Sequence, residues 1–340
     1  MTRVLITGVT GQDGGYLAEQ LLAAGDEVIG TVRTDAPGTL DAAGLGHLDG
    51  RLTLLAADLL DPASVRRAVS EAQPQEVYHL AAPTFVPDSW DDPTEVVTAV
   101  AGGTATVLAA AGALGDDVRV LVAASSEIFG DAGVSPQSEQ APMRPRSPYG
   151  VAKLAAHGLV GTLRARHERF LVSAITFNHE SPRRPERFLP RKVTAGVAAI
   201  AARRAETLTL GDLAAVRDWS HARDVVAGMV LALRHSEAGD YVFASGVPHT
   251  VGGLVDAAFA AAGIERNARD GAGGLRDRVV VDPRFVRPPE RWPPVGDPSK
   301  ARSVLGWQPR TSFEQLVAEM VVADLARLGI ATPSRRGGAA

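Results

Sequence analysis

Tyr149 and Lys153 close the run Tyr149-Gly-Val-Ala-Lys153, a spacing that puts a phenol and an ammonium on one face of a helix. Upstream, Ser125 and Glu127 lie in Ala124-Ser-Ser-Glu-Ile-Phe-Gly130, at the end of an apolar run. A nearby ammonium and an oxidised hydride acceptor would stabilise phenolate, drawing a group that ordinarily titrates near about 10 toward the working range. Tyr149 can then act as general base on an alcohol while hydride leaves the same carbon, with Ser125 holding the hydroxyl. If the strand continues through residue 127, alternation points Glu127 into the same crevice as Ser125. The ketone so formed acidifies the adjacent C–H, and a carboxylate is the simplest base to remove that proton. The expected catalytic set is therefore Ser125, Glu127, Tyr149 and Lys153. The alternative for Glu127 is a salt-bridged loop residue.

A hydride acceptor needs a cradle, and Gly8-Val-Thr-Gly11-Gln-Asp-Gly14 stands between a strand pattern and a helix pattern. Glycines there let the backbone turn sharply and approach a pyrophosphate, whose charge meets the helix N-terminus. The expected dinucleotide contacts include Gly8, Thr10, Gly11, Gln12, Asp13 and Gly14, with Leu59, Leu80, Ala81 and Ala82 at later strand ends. After the second strand the text is Gly30-Thr-Val-Arg33-Thr34, with no acidic residue to grip a free ribose diol. Arg33 suits a 2′-phosphate, so NADP is expected, with NAD the alternative. Asp58 is placed to accept from an adenine amino group, or else to cap the helix that begins at Pro62.

The elements that must position these groups alternate. Val4–Thr7, Glu27–Val32, Leu52–Ala56, Glu76–Leu80 and Val118–Ala123 read as strands, with Tyr16–Ala24 and Ala63–Ala72 as helices between them. That pattern predicts an α/β fold, a Rossmann-type doubly wound parallel sheet, with ligands beyond the carboxyl ends of its strands. After about residue 177, prolines such as Pro182, Pro185, Pro288 and Pro289 break the text into loops, while His221–Leu233 reads as a helix returning to the first domain. The expected division is residues 1–176 plus about 214–244 for the dinucleotide-binding domain. A smaller, interleaved substrate-binding domain takes about 177–213 and 245–330, leaving 331–340 as a flexible tail.

The totals exclude several classes. With 35 Lys+Arg against 39 Asp+Glu, the net charge of −4 offers no basic field for nucleic acid or an anionic membrane. The absence of cysteine removes thiolate nucleophiles, disulfides and Cys-ligated metals, and a cytoplasmic location with no metal is expected. Ala99–Leu114 reads as a packed helix shorter than the roughly 20 residues that span a bilayer.

The spacing Gly8, Gly11, Gly14 is the form common to short-chain dehydrogenases, and with Ser125/Glu127 and Tyr149/Lys153 the chain resembles the GDP-mannose 4,6-dehydratases over nearly its whole length. The segments that carry the resemblance include Thr7-Gly-Val-Thr-Gly-Gln-Asp-Gly14, Pro145-Arg-Ser-Pro-Tyr-Gly-Val-Ala-Lys153, Asn178-His-Glu-Ser-Pro-Arg-Arg184, Arg191-Lys192, Arg217-Asp-Trp219 and Val281-Asp-Pro-Arg-Phe-Val-Arg-Pro288. The resemblance implies a hydro-lyase acting on GDP-mannose by internal hydride transfer, assembled as a homodimer or homotetramer. It implies that Thr84, Ser126, Asn178, Lys192 and Arg217 contact the nucleotide sugar, that Arg287 and Glu290 close over it, and that His179 and Arg184 lie near the cofactor. Lys300 and Trp307 are read as structural. The stretch Ala82–Trp90 carries prolines and Phe85 where relatives have Ser-His, which leaves open another nucleotide sugar such as a GDP-heptose. A 4-keto reductase or epimerase, and a non-catalytic cofactor-binding sensor, are the remaining alternatives.

Overall fold

The computed structural model describes residues 1–34, 36, 38–264, 277–285 and 291–330. Its strands are β1 (Arg3–Thr7), β2 (Glu27–Val32), β3 (Thr53–Ala56), β4 (Glu76–His79), β5 (Arg119–Ser125), β6 (Leu171–Thr176), β7 (Asn178–Glu180), β8 (Leu208–Leu210), β9 (Val216–His221), β10 (Asp240–Phe243), β11 (Pro248–Thr250) and β12 (Val279–Val281). The helices are α1 (Gln12–Ala23), α2 (Thr39–Ala42), α3 (Pro62–Ala72), α4 (Asp88–Asp91), α5 (Pro93–Val97), α6 (Gly103–Leu114), α7 (Pro148–His167), α8 (Leu189–Ala201), α9 (Ala222–Leu233), α10 (Val251–Ala261), α11 (Ser299–Leu305) and α12 (Phe313–Arg327).

Seven strands form one parallel sheet in the order β10-β6-β5-β4-β1-β2-β3. Val4, Leu5 and Ile6 of β1 are fully buried because helices cover both faces. Each such side chain contributes about 1.5–3 kcal/mol relative to exposure. On one face α1 and α9 share a core with Tyr78, Phe243 and Trp307. On the other, Val65, Val69, Val107 and Leu108 of α3 and α6 pack with Val77 and Val120 of the sheet. The chain runs outward from β1 through β2 to β3, then returns to the opposite side of β1 as β4, so the order reverses between β1 and β4. That switch point is where a doubly wound sheet opens its ligand crevice.

β11, β9 and β7 form a three-stranded sheet, and β12 pairs with β8. Below them, α8, α10 and α12 enclose a second core containing Val197, Leu254, Phe259 and Met320. Asp218 on β9 ties this region together: its buried carboxylate accepts backbone N–H groups from Ser245 at 2.8 Å, Gly246 at 2.9 Å and Gly296 at 3.1 Å. Lys300 donates to the Asp240 carbonyl, and the Trp307 indole to that of Asp224, both at 2.7 Å.

Two expectations about elements are revised. The helical run that includes α5 and α6 is continuous from Pro93 to Leu114, 22 residues, and is long and apolar enough by composition to cross a membrane. Here Val96, Val100, Val107, Leu108 and Ala111 are buried within the protein instead. The strand that carries Ser125 ends at that residue, and Ser126–Ile128 turn into a short 3-10 helix. The Ser125 hydroxyl accepts the Glu127 N–H at 3.2 Å, which caps the turn.

Candidate active site

Gly8 and Gly14 build the floor of the crevice. Gly8 has φ +73°, and a Cβ there would lie 2.9 Å from the Cα of Ala81, at the end of the neighbouring strand. A Cβ on Gly14 would lie 2.7 Å from the Cα of Val9. Only glycine permits both approaches. Gly11 is the N-cap of α1 and supplies no side-chain cap, which leaves the helix N-terminus to an external anion. These residues fit a dinucleotide.

A buried network fixes the opposite wall. Thr7 Oγ1 accepts the N–H groups of Leu80 at 3.1 Å and Ala81 at 3.2 Å, and it lies 2.8 Å from His79 Nδ1. With both acceptor sites filled, the threonine hydroxyl donates to Nδ1, so the His79 proton sits on Nε2, 3.1 Å from Thr104 Oγ1. Burial, reinforced by the Lys153 charge, holds His79 down to about 3. It is a neutral strut.

Above this floor the structure brings Ser125, Glu127, Tyr149 and Lys153 together. Tyr149 lies in the first turn of α7, which starts because Ser147 caps it and Pro148 occupies its first position. The phenol is hydrogen-bonded to Ser125. Ser147 Oγ donates to Glu127 Oε2 at 3.3 Å, so the carboxylate is held at the crevice by the 3-10 turn and this hydroxyl, not by strand alternation. Lys153 Nζ donates to the Ala123 carbonyl at 2.6 Å and lies 5.8 Å from the centre of the Tyr149 ring. Burial lowers Lys153 to about 8, with Asp13 opposing. The expected low phenol pKa is not a property of the ligand-free site. Burial drives Tyr149 well above its ordinary value, the Ser125 hydrogen bond opposes this, and the Glu127 charge adds to it.

A second charged layer links the glycine loop to β7. His179 Nε2 lies 2.8 Å from Asp13 Oδ2, and Nδ1 lies 2.7 Å from the Phe177 carbonyl. Both ring nitrogens face acceptors, so His179 is an imidazolium. Despite opposing burial, its pKa is raised by Asp13, and that of Asp13 is lowered by His179. Gln12 donates to the His179 carbonyl at 3.1 Å and accepts the Ser181 hydroxyl at 2.8 Å. Arg184 pairs with buried Glu180 at 3.2 Å, and its charge reaches both Asp13 and Tyr149.

The other expected contacts are more dispersed. Thr10 lies in the glycine-loop turn, and Ala82 packs against the cluster that contains Tyr149. Arg33 is exposed after β2. Asp58 accepts the Leu60 N–H at 2.9 Å, and Asp61, not Asp58, caps α3. Leu59 packs over Gly103. Ser126 opens the 3-10 turn, and Thr84 is exposed on the loop after β4. Asn178 and Arg217 lie on adjacent strands β7 and β9, while Lys192 lies on α8, its charge adding to the Arg284 hydrogen bonds that hold Asp282 below the usual carboxylate range. Arg287 and Glu290, like the 331–340 tail, lie outside the described residues. Among the described residues no group of three or more His, Cys, Asp or Glu is placed to hold a metal.

Sequence reasoning missed Ser147, His79, Asp218 and the Phe85–Phe188 contact. Ser-Pro at positions 147–148 is itself a helix-start signal. The others depend on contacts between distant segments.

A family model for GDP-mannose 4,6 dehydratase matches residues 5–320. The chain is 41% identical over 342 residues to a GDP-mannose 4,6-dehydratase of Sinorhizobium fredii, covering 95% of this chain and 97% of the relative. It is 39% identical over 340 residues to GDP-mannose 4,6 dehydratase 2 of Caenorhabditis elegans, covering 95% and 88%. Among solved structures, RMD from Pseudomonas aeruginosa in complex with NADPH superposes with a TM-score of 0.78 at 25% identity, covering 96% of this chain and 100% of that one.

Proposed function

The chain belongs to the GDP-mannose 4,6-dehydratase family, and from that premise we propose that it is a hydro-lyase that converts GDP-mannose to GDP-4-keto-6-deoxymannose, with NADP as its internal hydride carrier. The observation that carries this reading is the Glu127 carboxylate beside the Ser125–Tyr149 pair. A reductase or C4 epimerase moves hydride without removing the C5 proton and has no use for that base.

When bound, the cofactor accepts a hydride at the start and gives it back at the end. Tyr149 takes the C4 hydroxyl proton, and Ser125, already hydrogen-bonded to the phenol, is placed to hold that hydroxyl beside it. Lys153, fixed on the Ala123 carbonyl, stabilises the phenolate. Glu127 then removes the C5 proton, made acidic by the C4 ketone, and delivers a proton to the departing C6 hydroxyl, which leaves as water. The proton held by Tyr149 balances reprotonation at C5 when C6 receives hydride. No external reductant is consumed.

The exposed Arg33 supports NADP over NAD. We assign the nucleotide to the lobe made of residues 177–213 and 245–330, where Asn178 and Lys192 supply polar and cationic groups, joined by Arg217 on β9, the strand that pairs with that of Asn178, and with Ser126 and Thr84 toward the sugar. Arg287 and Glu290, outside the described residues, complete that assignment. A homodimer or homotetramer belongs to the same proposal. Its support is exposed Val97 and Val151 on the contacting helices α5 and α7, and light scattering checks it.

A second reading keeps the reaction and changes the sugar, and Phe85 in the loop after β4 is the observation that favours it. Mass spectrometry of the protein with catalytic NADP⁺ decides between them. Loss of one water from GDP-mannose without net cofactor reduction supports the first reading. Inertness toward GDP-mannose with conversion of another nucleotide sugar supports the second, and inertness toward all of them overturns both.

A further inference from the structure

β4 and β6 are the two neighbours of β5, whose end carries Ser125. The loop leaving β4 and the segment that follows β6, which runs through β7 to α8, therefore start on either side of the reacting groups, and they meet. Phe85, on the first loop, touches Phe188, at the start of α8, edge to face with ring centres 5.2 Å apart and planes at 83°. Arg184 lies over the Phe188 ring at 3.7 Å and Arg187 over Phe85 at 4.5 Å. Arg187 also donates to Asp88 at 2.8 Å, tying the two loops a second time. The first loop is internally ordered: Asp88 N–H donates to the Phe85 carbonyl at 3.1 Å, and Ser89 Oγ to that of Val86 at 2.6 Å. On either side of Phe85, Ala82 and Val86 pack into the cluster that contains Tyr149. Both aromatic rings are only half-buried, so part of their apolar surface is accessible.

We propose that Phe85 and Phe188 form an apolar clasp across the mouth of the site that retains the half-reacted sugar, so that the first hydride transfer is always followed by the second. The inference rests on the dehydratase reading and deepens it. After oxidation at C4 and loss of water, the sugar is an unsaturated ketone that still lacks the returned hydride at C6 and a proton at C5. If it escapes, the enzyme keeps a reduced cofactor and the released species is two hydrogens lighter than the normal product. Water exclusion by a closed apolar wall is a physical means of preventing that loss. Both residues are positioning residues, since neither exchanges a proton with the sugar.

The test is the ratio of reduced cofactor to 4-keto-6-deoxy product, measured with GDP-mannose and excess NADP⁺, with GDP affinity by calorimetry as the check on folding. Phe85→Ala and Phe188→Ala are expected to raise that ratio about ten-fold or more while GDP still binds. Phe85→Leu, which keeps apolar bulk, is expected to restore coupling. Ala variants that bind GDP and keep the wild-type ratio overturn the clasp, as does a Leu variant that leaks as much as Ala. If the Ala variants lose GDP binding, Arg187→Ala loosens the clasp without removing a ring and is judged by the same two outcomes. Wild-type protein that removes no water from GDP-mannose refutes the dehydratase reading itself, a result separate from any variant's leak.

Discussion

Ser147 and Glu127 are joined by one hydroxyl with two tasks: Ser147 Oγ accepts the Gly150 N–H at 3.0 Å, starting the helix of Tyr149, and donates to the Glu127 carboxylate at 3.3 Å. Ser147→Ala should cost about 1 kcal/mol of stability through the lost cap. It should also slow C5 deprotonation more than cofactor reduction, because Glu127 loses its donor. Comparing deuterium uptake at C5 with single-turnover cofactor reduction checks this, and equal slowing of both would refute it.

Glu127→Gln removes the base without changing the shape of the side chain. The variant should reduce some cofactor with GDP-mannose, exchange no deuterium at C5 and release no water-loss product. Full dehydration would reassign the base.

Lys153 carries its charge below a pKa of about 8 in the ligand-free protein. As pH rises through that value the ammonium is lost, and with it the field that steadies the Tyr149 phenolate. kcat/KM, which reports the free enzyme, should therefore fall on the alkaline side near pH 8. Lys153→Met should remove that limb and lower the rate by about 10²–10⁴. An unchanged alkaline limb in the variant would assign it to another group.

The Asp13–His179 pair is partly buried, and removing one partner costs up to the about 3–5 kcal/mol typical of a fully buried pair. His179 is raised, so its share is present below its unfolded value and is lost as pH rises through its higher folded pKa. Asp13 is lowered, so its share is present above the usual carboxylate range and is lost as pH falls through its folded pKa. The fall in Tm for Asp13→Asn should thus be largest between mildly acid and neutral pH and narrow toward both ends. A pH-independent difference would show that the pair is not charged.

Arg33→Ser should raise KM for NADP⁺ about ten-fold or more and leave KM for NAD⁺ little changed. Equal effects on both cofactors would remove the 2′-phosphate from the proposal.

The sheet and the glycine loop are legible in the sequence because they are local patterns: short apolar runs, turn glycines and helical spacing lie within a few residues of one another. Tyr149 and Lys153 are legible for the same reason. The position of Glu127 was harder, since alternation fails where the Ser125 side chain turns back to cap its own chain and ends the strand. The protonation of Tyr149 depends on how deeply it is buried and that of His179 on Asp13, and neither environment has a sequence signature. Asp218 and the Phe85–Phe188 contact join segments that no periodicity connects.

β10 is the outer neighbour of β6, yet a long excursion through β7, β8, β9 and α9 separates them in the chain. During synthesis, β6 emerges with one edge unpaired and waits for residues 240–243. At a synthesis rate of about 5–20 residues per second, the wait is roughly 3–13 s. An open, apolar strand edge is a template for pairing with other chains. The long connection between β6 and β10 thus creates an interval of vulnerability on the ribosome. Slower elongation or reduced chaperone supply is therefore expected to lower the yield in a cell even where the finished protein is stable.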